Sequence, residues 1–132
     1  MEDPSQRRNH PMERLCNKIL GLDNRILSVI ITDRSNGNIL AVKLSPEAES
    51  MSQYKTSLIS MYERILRGLT SRVGEAYGTC NFMVFSFSQA HAIIMLLEKI
   101  VVIANAKPEV ALDVIPKIKK TAEEYMLTVP SI

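Results

Sequence analysis

The pattern of apolar and polar positions is clearest between Ser45 and Val73, where it predicts one long amphipathic helix. Ser45 belongs to the residue types that cap helix N-termini, and Pro46 suits the first helical position, where an N–H has no helical partner. Wound at ~100° per residue, the apolar side chains form a stripe roughly 160° wide. They are Met51, Tyr54, Leu58, Ile59, Met61, Tyr62, Ile65, Leu66, Leu69 and Val73. A helix lying on a sheet needs only about 100°, so the extra width predicts a second apolar contact.

A β-hairpin is predicted before this helix. Two runs rich in β-branched residues, Ile26–Ile31 and Ile39–Val42, have the composition of paired strands. Between them, Asn36-Gly37 favours a two-residue type I′ turn, which requires positive φ at both positions. Asp33, at the end of the first strand, is expected to accept hydrogen bonds from N–H groups of the turn.

Three further strands are predicted after the long helix. Their apolar runs are Asn81–Phe87, Ala92–Leu97 and Ile100–Ala104, and Glu98-Lys99 forms the solvated tip between the last two. Strands that are apolar without alternation are typical of a sheet with both faces covered. Helices must therefore lie on both sides of this sheet.

Shorter helices are predicted near both ends of the chain. The first of them begins at Pro11. The last begins at Pro108, and Pro116 interrupts its pattern. This helix is therefore expected either to kink at Pro116 or to end before it, with a second helix from Pro116 to Met126. The glycines of Gly74–Gly78 predict a loop after the long helix.

The predicted fold is α+β, with the order α-ββ-α-βββ-α. One mainly antiparallel sheet of five strands carries the long helix on one face and the terminal helices on the other. The expected organisation is a single domain over residues 11–127, with a flexible tail at 1–10 and a frayed C-terminus at 128–132.

Composition and charge narrow the classes of function. The chain has 132 residues, of which 46% are hydrophobic and 23% charged, as in ordinary globular proteins. A net charge of +2 is too small to attract nucleic acid or membranes by field alone. No apolar run reaches the ~18 residues of a membrane span, and the polar segment Glu2–Pro11 lacks the apolar core of a signal peptide. The expected location is the cytoplasm.

The sequence contains no constellation of residues that predicts catalysis. Cys16 and Cys80 are too far apart in sequence for metal-ligand spacing and are predicted to be small buried hydrophobes. His91 is predicted to be either a structural residue or an exposed turn residue and not a catalytic base. Without a glycine-rich phosphate loop or a paired His/Asp site, we expect no enzyme activity, no metal and no cofactor. The basic residues Arg14, Lys18 and Arg25 lack neighbouring aromatic side chains, which argues against nucleic-acid binding.

The string Leu27–Val42 resembles the opening hairpin of Roadblock/dynein-light-chain domains. In those domains an apolar strand ends in Asp, here Asp33, and a Gly turn, here Gly37, leads into a short second strand. The later segment Phe82–Ala104 and the final amphipathic helix are similar in order and length, so the resemblance covers about residues 12–126.

The resemblance implies a non-catalytic interaction module. Family members dimerise through the long helix and the neighbouring edge strand, and they serve as platforms for small GTPases or as adaptor proteins. Carried over to this chain, the implied partners are a second copy and a small GTPase or adaptor protein. The implied interface residues are Tyr54, Leu58, Met61, Ile65, Gly68, Phe82 and Val84.

An alternative function is a PAS- or profilin-like sensor that binds a small apolar ligand between sheet and helix. This alternative predicts a monomer with a sizeable internal cavity lined by Phe82, Met83, Phe85 and Met95. The dimeric module predicts instead a dimer in solution without such a cavity.

Overall fold

A computed structural model describes residues 4–48, 55–69, 72–110 and 112–129 of the chain. The predicted order of elements and the α+β class are confirmed, with one additional short helix. The helices are α1 (Pro4–Leu20), α2 (Lys55–Leu69), α3 (Arg72–Tyr77) and α4 (Val114–Thr128). The strands are β1 (Ile26–Asp33), β2 (Ile39–Leu44), β3 (Phe82–Ser86), β4 (His91–Leu96) and β5 (Ile100–Ala106).

The five strands form one sheet in the order β2-β1-β5-β4-β3, and every neighbouring pair is antiparallel. The central strands β1 and β5 are buried along their whole length. Their lack of polar alternation therefore reflects a sheet covered on both faces, as predicted. Strands β2 and β3 are the two edges.

The predicted distribution of helices over the two faces is confirmed. On one face, α1 and α4 pack on the sheet through side chains such as Leu15 and Ile118, which are inaccessible to solvent. On the other face, α2 places Ile59 and Tyr62 over a smaller apolar cluster that includes Ile103. We call these the α1/α4 face and the α2 face.

Helix α1 begins earlier than the apolar spacing predicted. It starts at Pro4 rather than at Pro11, so most of the segment expected to be a mobile tail is helical. Pro11 lies inside the helix, where it cannot donate a hydrogen bond to the carbonyl group four residues earlier. A proline suits the first turn of a helix, but Pro11 shows that it can also lie further inside, so it does not mark where α1 starts.

The hairpin of β1 and β2 is confirmed, but its predicted turn type is wrong. Only Gly37 has a positive φ, of 76°, whereas Asn36 does not, so the turn is not type I′. The N–H of Gly37 donates to the carbonyl oxygen of Asp33, and the N–H of Asp33 donates to that of Asn38, both at 2.8 Å. The Asp33 carboxylate accepts the N–H and the hydroxyl of Ser35, as predicted for this residue. These bonds close a longer turn than the two-residue one.

The helix predicted over Ser45–Val73 is shorter in the described residues. Residues 46–48 form a single 3₁₀ turn. The Ser45 hydroxyl finds no hydrogen-bond partner among the described residues, which include that turn, so the predicted N-cap is wrong. Residues 49–54, with the predicted stripe members Met51 and Tyr54, lie outside the described residues. The predicted loop at Gly74–Gly78 is also wrong over most of its length, because α3 continues to Tyr77.

The last helix begins at Val114 and not at Pro108. Pro116 therefore occupies the first turn, where the N–H groups have no helical partner and a proline removes no hydrogen bond. One continuous helix results, without the predicted break at Pro116, and it extends through Thr128 into the segment that was expected to fray.

Candidate interaction surface

One flank of α2 carries apolar side chains that its own sheet covers only in part. The side chains of Ile59 and Tyr62 point into the core, with 8% and 2% of their surface exposed. Next to them on the helix, Leu58 and Met61 are half-buried, and Ile65 is 37% exposed. The wide apolar stripe therefore leaves one margin partly open to solvent.

Glu63 defines the direction in which this margin points. A Cβ atom built on Gly37 would lie 2.6 Å from the Glu63 carboxylate, so this side chain lies directly against the turn between β1 and β2. At ~100° per residue, Leu58, Met61 and Ile65 are roughly 150° around the helix from Glu63. The apolar margin therefore faces away from the β1–β2 turn.

Strand β3 is an edge strand whose residues alternate between the two faces. Met83 and Phe85 are paired with Ile94 and Ala92, and they pack against the apolar cluster under α2. Both are half-buried. They therefore belong to the same face as the open margin of α2, although the sequence-based set of interface residues omitted them.

Phe82 and Val84, which that set included, lie on the other face. Their cross-strand partners are Met95 and Ile93, which belong to the core under α1 and α4. Phe82 is 46% exposed, whereas Val84 packs in part against that core. The side chains of Phe82 and Val84 therefore do not form one continuous surface with Leu58, Met61 and Ile65, because neighbouring strand positions point to opposite faces.

The remaining predicted interface positions are Gly68 and Tyr54. Gly68 is exposed near the C-terminal end of α2, and among the described residues a Cβ built on it would meet no atom within 4 Å apart from its chain neighbours and its own helix backbone. Its outer side thus leaves room for the close approach of another chain. Tyr54 lies outside the described residues.

The segment that contains β3 carries no formal charge. Between Glu75 and Glu98 the sequence has no Asp, Glu, Lys or Arg. Edge strands of soluble proteins are commonly protected from pairing by charged side chains, especially lysine. Strand β3 lacks this protection.

The described residues do not bring together the chemical groups of an active site. No three of their His, Cys, Asp and Glu side chains are grouped so that they could hold a metal ion. Cys16 is fully buried, as predicted, and burial raises the pKa of its thiol to about 12. Cys80 is only half-buried, which corrects the prediction for that residue. The ring Nε2 of His91 lies 3.0 Å from the carbonyl oxygen of Pro108, a structural contact between β4 and the following loop.

The four side chains expected to line the cavity of the alternative sensor function lie on opposite faces of the sheet. Phe82 and Met95 lie on the α1/α4 face, whereas Met83 and Phe85 lie on the α2 face. Met95 is 1% exposed within the packed core. These four side chains cannot line one cavity, because the sheet itself separates them.

Comparison with solved structures identifies the fold. MglB from Myxococcus xanthus superposes with a TM-score of 0.70 over 96% of this chain and 90% of its own, at 12% identity. A Roadblock/LC7 domain from Streptomyces avermitilis superposes with a TM-score of 0.60 over 88% of this chain and 98% of its own, at 13% identity. This is a Roadblock-like fold. No protein-family model and no curated protein matches the sequence.

A third Roadblock-like neighbour is an MglB structure in a tetrameric arrangement. It superposes with a TM-score of 0.74 over 98% of this chain and 93% of its own, at 14% identity. At such low identities the likeness extends to the fold alone. The family suggested by the hairpin around Asp33 and Gly37 is thus confirmed at the level of the Roadblock-like fold.

No helix in the described ranges combines the length and the apolar character needed to cross a membrane.

Proposed function

We propose that this chain is a non-catalytic interaction module that forms a homodimer and, as a dimer, docks or regulates a small GTPase. The resemblance to Roadblock domains supports this role, since domains of that family are platforms for small GTPases and adaptor proteins. The Roadblock-like fold of the described residues agrees with it.

The observation that carries the proposal is the position of the open apolar margin of α2. Leu58, Met61 and Ile65 are incompletely covered by their own protomer and face away from the β1–β2 turn. On the same face of the sheet, the edge strand β3 presents the half-buried side chains of Met83 and Phe85. Partial exposure of neighbouring apolar side chains beside an uncharged strand edge is typical of a surface that another chain covers. In a homodimer, the α2 margin and the β3 edge of the second copy cover the α2 margin and the β3 edge of the first.

The helix contact is tested by placing a charge on the open margin. Met61→Glu together with Ile65→Glu should convert a dimer into a monomer in sedimentation velocity, because two carboxylates would lose water inside an apolar contact. Arg67→Glu is the matched control and should leave the dimer intact, since Arg67 is exposed and lies about 120° around α2 from Met61 and about 160° from Ile65. A double variant that folds and still dimerises would exclude this margin as the contact.

Binding to a small GTPase is tested in a separate experiment. Small GTPases from the source organism are loaded with GDP or with a non-hydrolysable GTP analogue and titrated into the protein in a calorimeter. We expect at least one to bind, with an affinity that depends on the nucleotide. If none binds to the intact dimer, the GTPase role is wrong, whereas the self-association is judged by sedimentation alone.

A further inference from the structure

The segment that forms α2 and the start of α3 is more basic than the chain as a whole. From residue 55 to residue 74 the sequence has four basic residues and a single acid, whereas the complete chain has a net charge of only +2. The four basic residues are Lys55, Arg64, Arg67 and Arg72, and the acid is Glu63. Like charges gathered on one part of a protein create a local potential that the net charge does not reveal.

The acidic side chains of α2 and α3 point away from the outer surface of these helices. Glu63 lies against the β1–β2 turn, since a Cβ atom on Gly37 would be 2.6 Å from its carboxylate. Glu75 lines a hollow together with Arg34 and Leu66. Neither carboxylate therefore neutralises the basic side chains that face outward.

Arg64 and the apolar side of α3 belong to the same outer surface. On α2, Arg64 lies roughly 160° around the helix from Leu66, which faces the hollow. On α3, Val73 and Tyr77 each lie roughly 160° from Glu75, which faces the hollow as well. Arg64, Val73 and Tyr77 therefore all point away from it. All three are exposed, Val73 by 45% and Tyr77 by 87%.

The neighbours of Arg64 on the outer side of α2 are short and polar. Ser57 and Ser60 are exposed beside it, and all three line one shallow depression. Hydroxyl and guanidinium groups both donate hydrogen bonds to phosphate and carboxylate oxygens. This part of α2 can therefore approach a layer of anionic groups closely.

We propose that the outer surface of α2 and α3, with Arg64, Val73 and Tyr77, binds the anionic surface of a lipid bilayer. Arginine is attracted by anionic lipid headgroups, and each basic residue close to such a surface strengthens binding about five-fold. Tyr77 and Val73 enter the boundary between headgroups and acyl chains, where a tyrosine ring keeps its hydroxyl in water. The protein then lies on the membrane without spanning it.

A bilayer fits this surface better than a nucleic acid does. Single-stranded nucleic acids are bound by several aromatic side chains that stack on successive bases. Among the described residues of α2 and α3, Tyr77 is the only exposed aromatic side chain, since Tyr62 is buried. Val73 contributes nothing to the recognition of phosphate groups, but its burial at the acyl-chain boundary removes apolar surface from water.

Vesicle flotation tests the proposal. The intact protein should float with vesicles of phosphatidylcholine mixed with phosphatidylserine, but not with vesicles of phosphatidylcholine alone. A high salt concentration should release it, because salt screens the attraction between exposed charges. Arg64→Gln should weaken binding to the mixed vesicles about five-fold. Tyr77→Ser should also weaken it, because no ring then enters the headgroup region.

Two variants on the α1/α4 face are the matched controls. Lys120→Gln removes one exposed positive charge, as Arg64→Gln does. Leu127→Ser removes an apolar side chain that is 87% exposed, the same fraction as for Tyr77. Neither control should change vesicle binding. Equal binding to both kinds of vesicle, or a loss with Lys120→Gln as large as with Arg64→Gln, would overturn the proposal.

A short single-stranded DNA separates a lipid surface from a site for any polyanion. Tyr77→Ser should weaken binding to the mixed vesicles and leave any binding of the DNA unchanged. If Tyr77→Ser binds the vesicles as the wild type does while the DNA displaces the wild type from them, the surface recognises polyanions in general and the proposal is wrong. Self-association is measured by sedimentation without lipid, so its outcome is independent of this one.

Discussion

The Tyr62 hydroxyl lies 3.2 Å from the Thr32 hydroxyl, and this hydrogen bond joins α2 to the centre of the sheet. Both side chains are buried, with 2% and 0% of their surface exposed. The bond therefore fixes the position of α2 along β1, and with it the position of the open margin formed by Leu58, Met61 and Ile65.

Removing one partner of this bond should destabilise the fold. Tyr62→Phe leaves the Thr32 hydroxyl unpaired in the core, and we expect the free energy of unfolding in urea to fall by about 1 kcal/mol. Thr32→Val, measured in the same assay alone and together with Tyr62→Phe, completes a double-mutant cycle. A coupling energy near zero between the two changes would contradict a hydrogen bond between them.

The same residue predicts a loss of stability at alkaline pH. Burial raises the pKa of the Tyr62 phenol above its ordinary value of 10.0. In the unfolded chain the phenol ionises near its ordinary pKa, whereas in the folded chain it stays neutral to higher pH. The stabilisation is thus complete below the ordinary pKa and is lost as the pH rises through the folded value. Urea titrations over this range should show a steeper decline for the wild type than for Tyr62→Phe, and parallel curves would refute the shift.

A side chain at Gly37 should destabilise the fold, mainly because of the backbone conformation there. The φ of 76° at Gly37 is strained for any residue with a Cβ, and that Cβ would meet the Glu63 carboxylate at 2.6 Å. We expect Gly37→Ala to lower the free energy of unfolding by ~1–2 kcal/mol from the backbone alone, with little further loss from the contact, because the Glu63 carboxylate is the end of a flexible side chain and can move aside. In the double variant Gly37→Ala with Glu63→Ala, the contact is removed but the backbone strain at position 37 remains, so most of the loss in stability should persist. A thermal melt in which Gly37→Ala equals the wild type would disprove this role of the turn.

The two cysteines should differ sharply in reactivity. Burial raises the pKa of Cys16 to about 12, so almost none of its thiol is the reactive thiolate at mildly alkaline pH. Cys80 is half-buried and accessible at the edge of the sheet. Titration of the native protein with a chromogenic disulfide should modify Cys80 and spare Cys16 until the chain unfolds. Cys80→Ser should then show no rapid reaction, and a fast phase in that variant would contradict the burial of Cys16.

The strands and the layer arrangement could be predicted because they follow from side-chain patterns that burial itself imposes. Apolar runs such as Ile100–Ala104 are typical of strands covered on both faces, and the width of the α2 stripe indicated a second contact. The faces of β3 could not be predicted for the same reason, since apolar residues stand at both its odd and its even positions. The sequence therefore did not show that Phe82 and Val84 point away from α2 while Met83 and Phe85 point toward it.

Element boundaries near proline and glycine could not be predicted, because tertiary context decides how those residues are used. Pro11 lies inside α1, Pro116 lies in the first turn of α4, and Gly74 is helical within α3. In the hairpin, the Asp33 carboxylate organises a longer turn than Asn36-Gly37 alone would adopt. Each of these outcomes depends on a contact or a position in the element that residue type does not specify.

The molar mass of the wild-type protein tests the central claim most directly. Multi-angle light scattering across a range of concentrations should give about twice the 14.8 kDa of one chain, with no growth toward larger species as concentration rises. A mass of 14.8 kDa at the highest concentration would contradict the account, because the apolar margin of α2 and the open edge of β3 would then be stable in water uncovered.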